Sequence, residues 1–143
     1  MTTEAVLAWV KTLSTKPQHY YCGTLNAKND KSFGIYQLKD RRSRDIALGG
    51  MTNTKTAAKG ISILVHWTQS TRETEDIAAA LYNNLANAQN VVIGGETVNY
   101  IQLLHNESID VGADENGICE RVIEFIIHYS KNEQNQPDKP TPF

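Results

Sequence analysis

Two amphipathic helical stretches set among about half a dozen short apolar runs predict an α+β fold: a mixed or mainly antiparallel sheet of about five to six strands packed by two helices. Three observations carry that prediction. Apolar residues recur at helical spacing near the N-terminus and again after Ser70, a Gly-Gly dipeptide separates two β-rich runs, and the last long run alternates. At 143 residues the chain can bury a core without disulfides or metals. Residues 1–130 are expected to form one domain. The stretch 131–143, "KNEQNQPDKPTPF", has three prolines and no period, and is expected to be a flexible tail.

The first helical stretch places Val6, Trp9, Val10 and Leu13 on one face, with Thr2 or Thr3 to cap it and Lys16-Pro17 to end it. "HYYCGTL" (19–25) and "SFGIYQL" (32–38) follow, separated by the turn-forming "NAKNDK", which predicts a hairpin. Asp40 to Gly60 has no sustained period and reads as a long loop or arm, a kind of segment that is usually functional or mobile. Its basic cluster Arg41, Arg42, Arg44 and its apolar residues Ile46, Leu48, Met51 are the candidates for an assembly interface.

"ISILVHW" (61–67) is nearly continuous in apolar residues, the pattern of a central strand covered on both faces. Ser70 and Glu73 form a capping box at the start of the second helix, where Ile77, Ala78, Leu81 and Leu85 make one stripe that stops near Asn87. "NVVI" and "TVNYIQLL" flank Gly94-Gly95 and predict a second hairpin. In the last run Cys119, Ile123, Phe125, Ile127 and Tyr129 share one face.

Chemistry is sparse. A net charge of -2 argues against a generally basic nucleic-acid binder. There is no bilayer-length apolar run and the N-terminus is acidic where a signal peptide is basic, so a soluble protein made in a cytoplasm is expected. Cys22 and Cys119 sit among apolar neighbours and read as buried thiols. His19, His66, His105 and His128 are scattered without zinc-like spacing and read as partly exposed strand histidines. Asp110, Asp114, Glu115 and Asn116 lack the alternating oxygen ligands of a calcium loop, and with Gly112 and Gly117 they read as a structural turn. Neither a P-loop nor a dinucleotide fingerprint is present. No catalytic, metal or cofactor-binding residues are assigned, and no enzyme activity is expected.

The stretch "SIDVGADENGICERVIEFIIHYS" resembles the minor capsid or tail-terminator (tail-completion) proteins of long-tailed bacteriophages, through Asp110, Gly112, Asp114, Glu115, Asn116, Gly117, Ile123 and Phe125. The similarity extends more loosely over Ile61 to Leu104, while Cys119 and Arg121 stand where bulkier aromatic residues are expected. The resemblance implies a structural virion subunit that forms a ring, a hexamer, on the head-proximal end of the tail tube. Such a ring stops tube polymerisation and faces the head connector. Its implied partners are itself, the major tail tube protein, the head-connector protein and DNA passing through the lumen, with no membrane and no cofactor. A competing reading is a small nucleic-acid-associated or regulatory module that uses Arg41, Arg42 and Arg44 on phosphates. A hydrolase with an irregular metal site is a third.

Overall fold

The computed structural model describes residues 1–39 and 55–131. Its elements in chain order are α1 (Thr3–Leu13), β1 (His19–Cys22), β2 (Ser32–Gln37), β3 (Thr56–His66), α2 (Thr71–Ala86), β4 (Val92–Ile93), β5 (Glu96–Leu103), β6 (Ile109–Ala113) and β7 (Cys119–Ser130). The strands build one mixed sheet of order β1-β2-β3-β7-β5-β4, with β6 also paired to β7. This is the α+β fold that the sequence predicts, with one strand more.

β7 is the middle of the sheet. It runs antiparallel to β3 from Thr56↔Ser130 to His66↔Glu120. Its other side is shared by β5, opposite Phe125 to Ser130, and β6, opposite Cys119 to Val122. Alternation then does the sorting: Ile123, Phe125 and Ile127 point to the same face as Ile61, Ile63 and Val65 of β3 and Phe33 and Ile35 of β2. Against that face lie Val6 and Val10 of α1 and Ala78, Leu81 and Leu85 of α2, each residue one or two turns from the next. Nearly all the buried apolar side chains of the described residues form one core cluster on this face, Ile126 lying outside it.

Both helix starts are capped as their sequences require. Thr2 Oγ1 accepts from the N–H of Ala5 at 3.1 Å, and Ser70 Oγ accepts from that of Glu73 at 3.2 Å. The return half of the capping box at α2 is relayed. Thr68 Oγ1 accepts from Ser70 N at 3.2 Å and donates to Glu73 Oε2 at 2.9 Å. Ser70→Ala is expected to cost about 1 kcal/mol, seen as a few degrees of lost Tm in a thermal melt. An unchanged melt would mean that Thr68 alone holds the helix start.

Four expectations are corrected. β1 and β2 pair parallel, His19↔Ser32 to Cys22↔Ile35, and are not a hairpin. The chain turns at Gly23 (φ 88) and Lys31 (φ 51), and the connection between these two residues carries it back to the start of β1, where the N–H of Gln18 donates to the Lys31 carbonyl. Tyr20 fixes the direction of β1 by donating its hydroxyl to the Ser14 carbonyl at the end of α1, and burial pushes its phenol up from the ordinary value. β3 starts at Thr56, so the last residues of the presumed arm are strand, held in register by Ser130 and its neighbours. The cysteines are not buried: Cys22 is exposed at the sheet edge and Cys119 is half-buried beside Thr71. The fourth correction, to the histidines, belongs with the site below.

The Gly-Gly hairpin forms as read. Val92 and Ile93 pair with Thr97 and Glu96, and Gly94 and Gly95 take φ of 58° and 80°, the positive pair that a two-residue turn of this hand demands.

Candidate functional site

The residues that carry the family-like pattern come together in one bulged strand and its turn. The β6–β7 register shifts between Asp110 and Gly112, where Gly112 has φ 92° and its N–H donates to Asp110 Oδ1 at 2.9 Å. At the turn, Asp114 Oδ1 accepts from the N–H groups of Asn116 and Ile118 at 2.9 and 3.0 Å, and Gly117 (φ 77°) donates to the Asp114 carbonyl. Glu115 and Asn116 stand exposed at the tip. Reading all of 108–118 as loop overlooked β6, because a five-residue run holding Asp110 and Gly112 has weak strand propensity and forms only on the free side of β7. One oxygen each of Asp110 and Asp114 is thus engaged by local backbone, and among the described residues no group of three or more His, Cys, Asp or Glu is placed to hold a metal ion.

Behind this turn lies a polar cluster that sequence reasoning missed. His66, expected to be partly exposed, has 0% of its surface accessible. Its Nδ1 is 2.9 Å from Glu120 Oε2, and its Nε2 is 3.1 Å from the Ala27 carbonyl oxygen and 3.7 Å from Asp114 Oδ2. The ring therefore ties the β1–β2 connection, β3, the β6–β7 turn and β7 together. A neutral imidazole has one N–H and can donate to Glu120 or to Ala27, whereas a doubly protonated ring donates to both. Asp114 Oδ2 is buried without a hydrogen-bond partner and faces this ring. In the β3–β7 ladder His66 stands opposite Glu120, a pairing that the continuous apolar run "ISILVHW" did not reveal. With two backbone N–H bonds and this burial, Asp114→Ala is expected to lose about 1–3 kcal/mol in a denaturant titration.

His105 and His128 are also engaged. His105 Nε2 lies 3.0 Å from Glu124 Oε1, His128 Nε2 lies 2.9 Å from Gln102 Oε1, and His128 stacks on Tyr100 with centroids 4.3 Å apart. These pairs lie on the sheet face away from α1 and α2. Arg121 aims at Ser108, its Nε and Nη2 donating to Oγ and the carbonyl at 2.6 and 2.8 Å, between two clefts of about 160 and 240 Å³ beside α2. The basic cluster Arg41, Arg42, Arg44 and the apolar Ile46, Leu48, Met51 lie outside the described residues, as does the stretch 132–143.

What the geometry of the described residues offers is surface, open strand edges and a bulged turn. A comparison with curated proteins gave no match. A family model described as bacteriophage tail terminator protein matches residues 3–131. Since that span holds every helix and strand from α1 to β7, the chain belongs to the bacteriophage tail terminator proteins.

Proposed function

We propose that the protein forms a closed ring, a hexamer, on the head-proximal end of the tail tube, where it ends tube polymerisation and presents a surface for joining the head. The observation that carries this is the family match over the whole folded span, which makes the chain a structural component of the phage tail. In this reading it has no enzymatic activity, its partners are its own copies, the tube protein and the head connector, and DNA passes through its lumen. Copies in a ring meet through unlike surfaces that close on themselves, and a sheet with open edges is suited to that. Particles assembled without the protein are the test. Overlong tubes and unjoined heads are expected in electron micrographs; tails of normal length on filled heads would refute the proposal.

The segment with Arg41, Arg42, Arg44, Ile46, Leu48 and Met51 is assigned to assembly in the same reading. A deletion should stop before Thr56, which pairs with Ser130. Removing 46–54 through a short linker is expected to keep the wild-type Tm while abolishing tail completion. Normal completion would return the segment to a passive loop.

A further inference from the structure

We propose that the β4–β5–β6 edge is the seat for a second copy of this chain, whose β1 edge docks there, so that the ring closes through oppositely charged ends of neighbouring sheets. The inference rests on the ring reading above and names the surfaces that make it.

The edge is open and apolar at its tips. β4 covers β5 only at Glu96 and Thr97, and from Asn99 onward β5 and then β6 have β7 on one side and no strand on the other among the described residues. The exposed large hydrophobic residues of the described chain all stand here: Val92 at 60%, Tyr100 at 57% and Val111 at 51%. Beside them a groove of about 350 Å³ runs between the end of α2 and β5, lined by Leu85, Val91, Val98, Tyr100 and Ile101 and by uncharged polar residues. Exposed apolar side chains strung along an open edge, with a groove beside part of it, are the kind of surface a partner covers. Bulges at Val98/Tyr100 and Asp110/Gly112 break the backbone ladder, so an arriving partner is held by side chains and open-ended strand addition is discouraged.

Charge selects the occupant. Residues 70–113, which make α2 and the strands of this edge, hold a single arginine against six carboxylates, one of which, Glu96, is buried against the N-terminal ammonium. Residues 1–39, which make α1 and the β1–β2 edge, hold five lysines against two carboxylates. Glu75 and Glu107 are exposed and line one cleft beside α2. At the other end of the sheet Lys16 and Lys28 are exposed in the connections that flank β1, Lys11 lies over the Tyr20 ring, and His19 stacks with Tyr21. Joining two acidic edges about a twofold axis sets like charges face to face and is disfavoured, whereas the acidic edge of one copy and the basic edge of the next attract. That is a head-to-tail contact, the kind that generates a ring when its rotation closes. The lysine-flanked β1, with its aromatic pair, matches an edge that carries this uncharged groove and, in a separate cleft, Glu75 and Glu107.

The test is a charge swap. Glu75→Lys/Glu107→Lys reverses the acidic edge, and Lys16→Glu/Lys28→Glu reverses the basic one. Assembly is read by sedimentation, both free and on purified tail tubes, with circular dichroism to confirm the fold. Each double variant is expected to assemble at least about tenfold more weakly than wild type, with the wild-type contact itself weakening as salt rises. Mixed in equal amounts the two variants are expected to recover, because every contact then pairs opposite charges. Wild-type-like assembly of either variant, or no recovery on mixing, overturns the edge pairing while leaving the ring reading standing. Wild-type subunits that remain monomeric both free and on tubes overturn the ring reading itself, and the edge pairing with it.

Discussion

Phe125→Ala is expected to lower stability by about 3–5 kcal/mol, enough to leave much of the protein unfolded near 37 °C if its stability is typical. Phe125 is 0% exposed, and it sits on β7 between Ile61 of β3 and Leu103 of β5. Neither neighbour can move inward to refill the space, because both are held by their own ladders. A chemical denaturation curve decides it. A loss below about 1.5 kcal/mol, the range of a well-tolerated apolar swap, would show that α1 and α2 collapse onto the vacancy.

His66→Leu is expected to cost about 1–3 kcal/mol, the range for leaving buried polar partners unsatisfied. The leucine leaves the Glu120 carboxylate, the Ala27 carbonyl and Asp114 Oδ2 facing an apolar side chain. A second replacement separates polar pairing from packing. Adding Glu120→Leu to His66→Leu is expected to recover part of the loss, since the stranded carboxylate is then gone. Single and double variants of equal stability would mean that the Glu120 contact contributes nothing.

What could be read in the sequence was whatever local pattern decides. "ISILVHW" declared a central strand through its continuous apolar run and "ERVIEFIIHYS" a strand with one core face through its alternation, and Ser70 with Glu73 marked a helix start through hydrogen bonds only a few residues long. Gly94-Gly95 declared its turn because few residues accept two positive φ angles in succession. The rest depends on partners far along the chain. The direction of β1 relative to β2 follows from the end of α1 and the connection between Gly23 and Lys31, and aromatic residues read the same either way. β6 exists because β7 extends beyond β5 and leaves a side free. His66 is buried by a carbonyl 39 positions away, Ala27, and by a carboxylate 54 positions away, Glu120. The lysines and carboxylates segregate along the chain, a pattern the sequence reading passed over, and Tyr100 and Val111 gave no sign of standing exposed.

Among the described strands, the one at the centre of the sheet is also the last in chain order. Until residues 119–130 emerge, β3 lacks its longer neighbour, and β5 and β6 have nothing to pair with except the short β4. The sheet thus closes only after residues 119–130 have been translated, and the apolar faces of β3 and β5 wait uncovered in the meantime. Chaperone demand during synthesis should therefore fall on residues 56–104, and a chain truncated before Cys119 should be recovered as aggregate and not as a smaller folded unit.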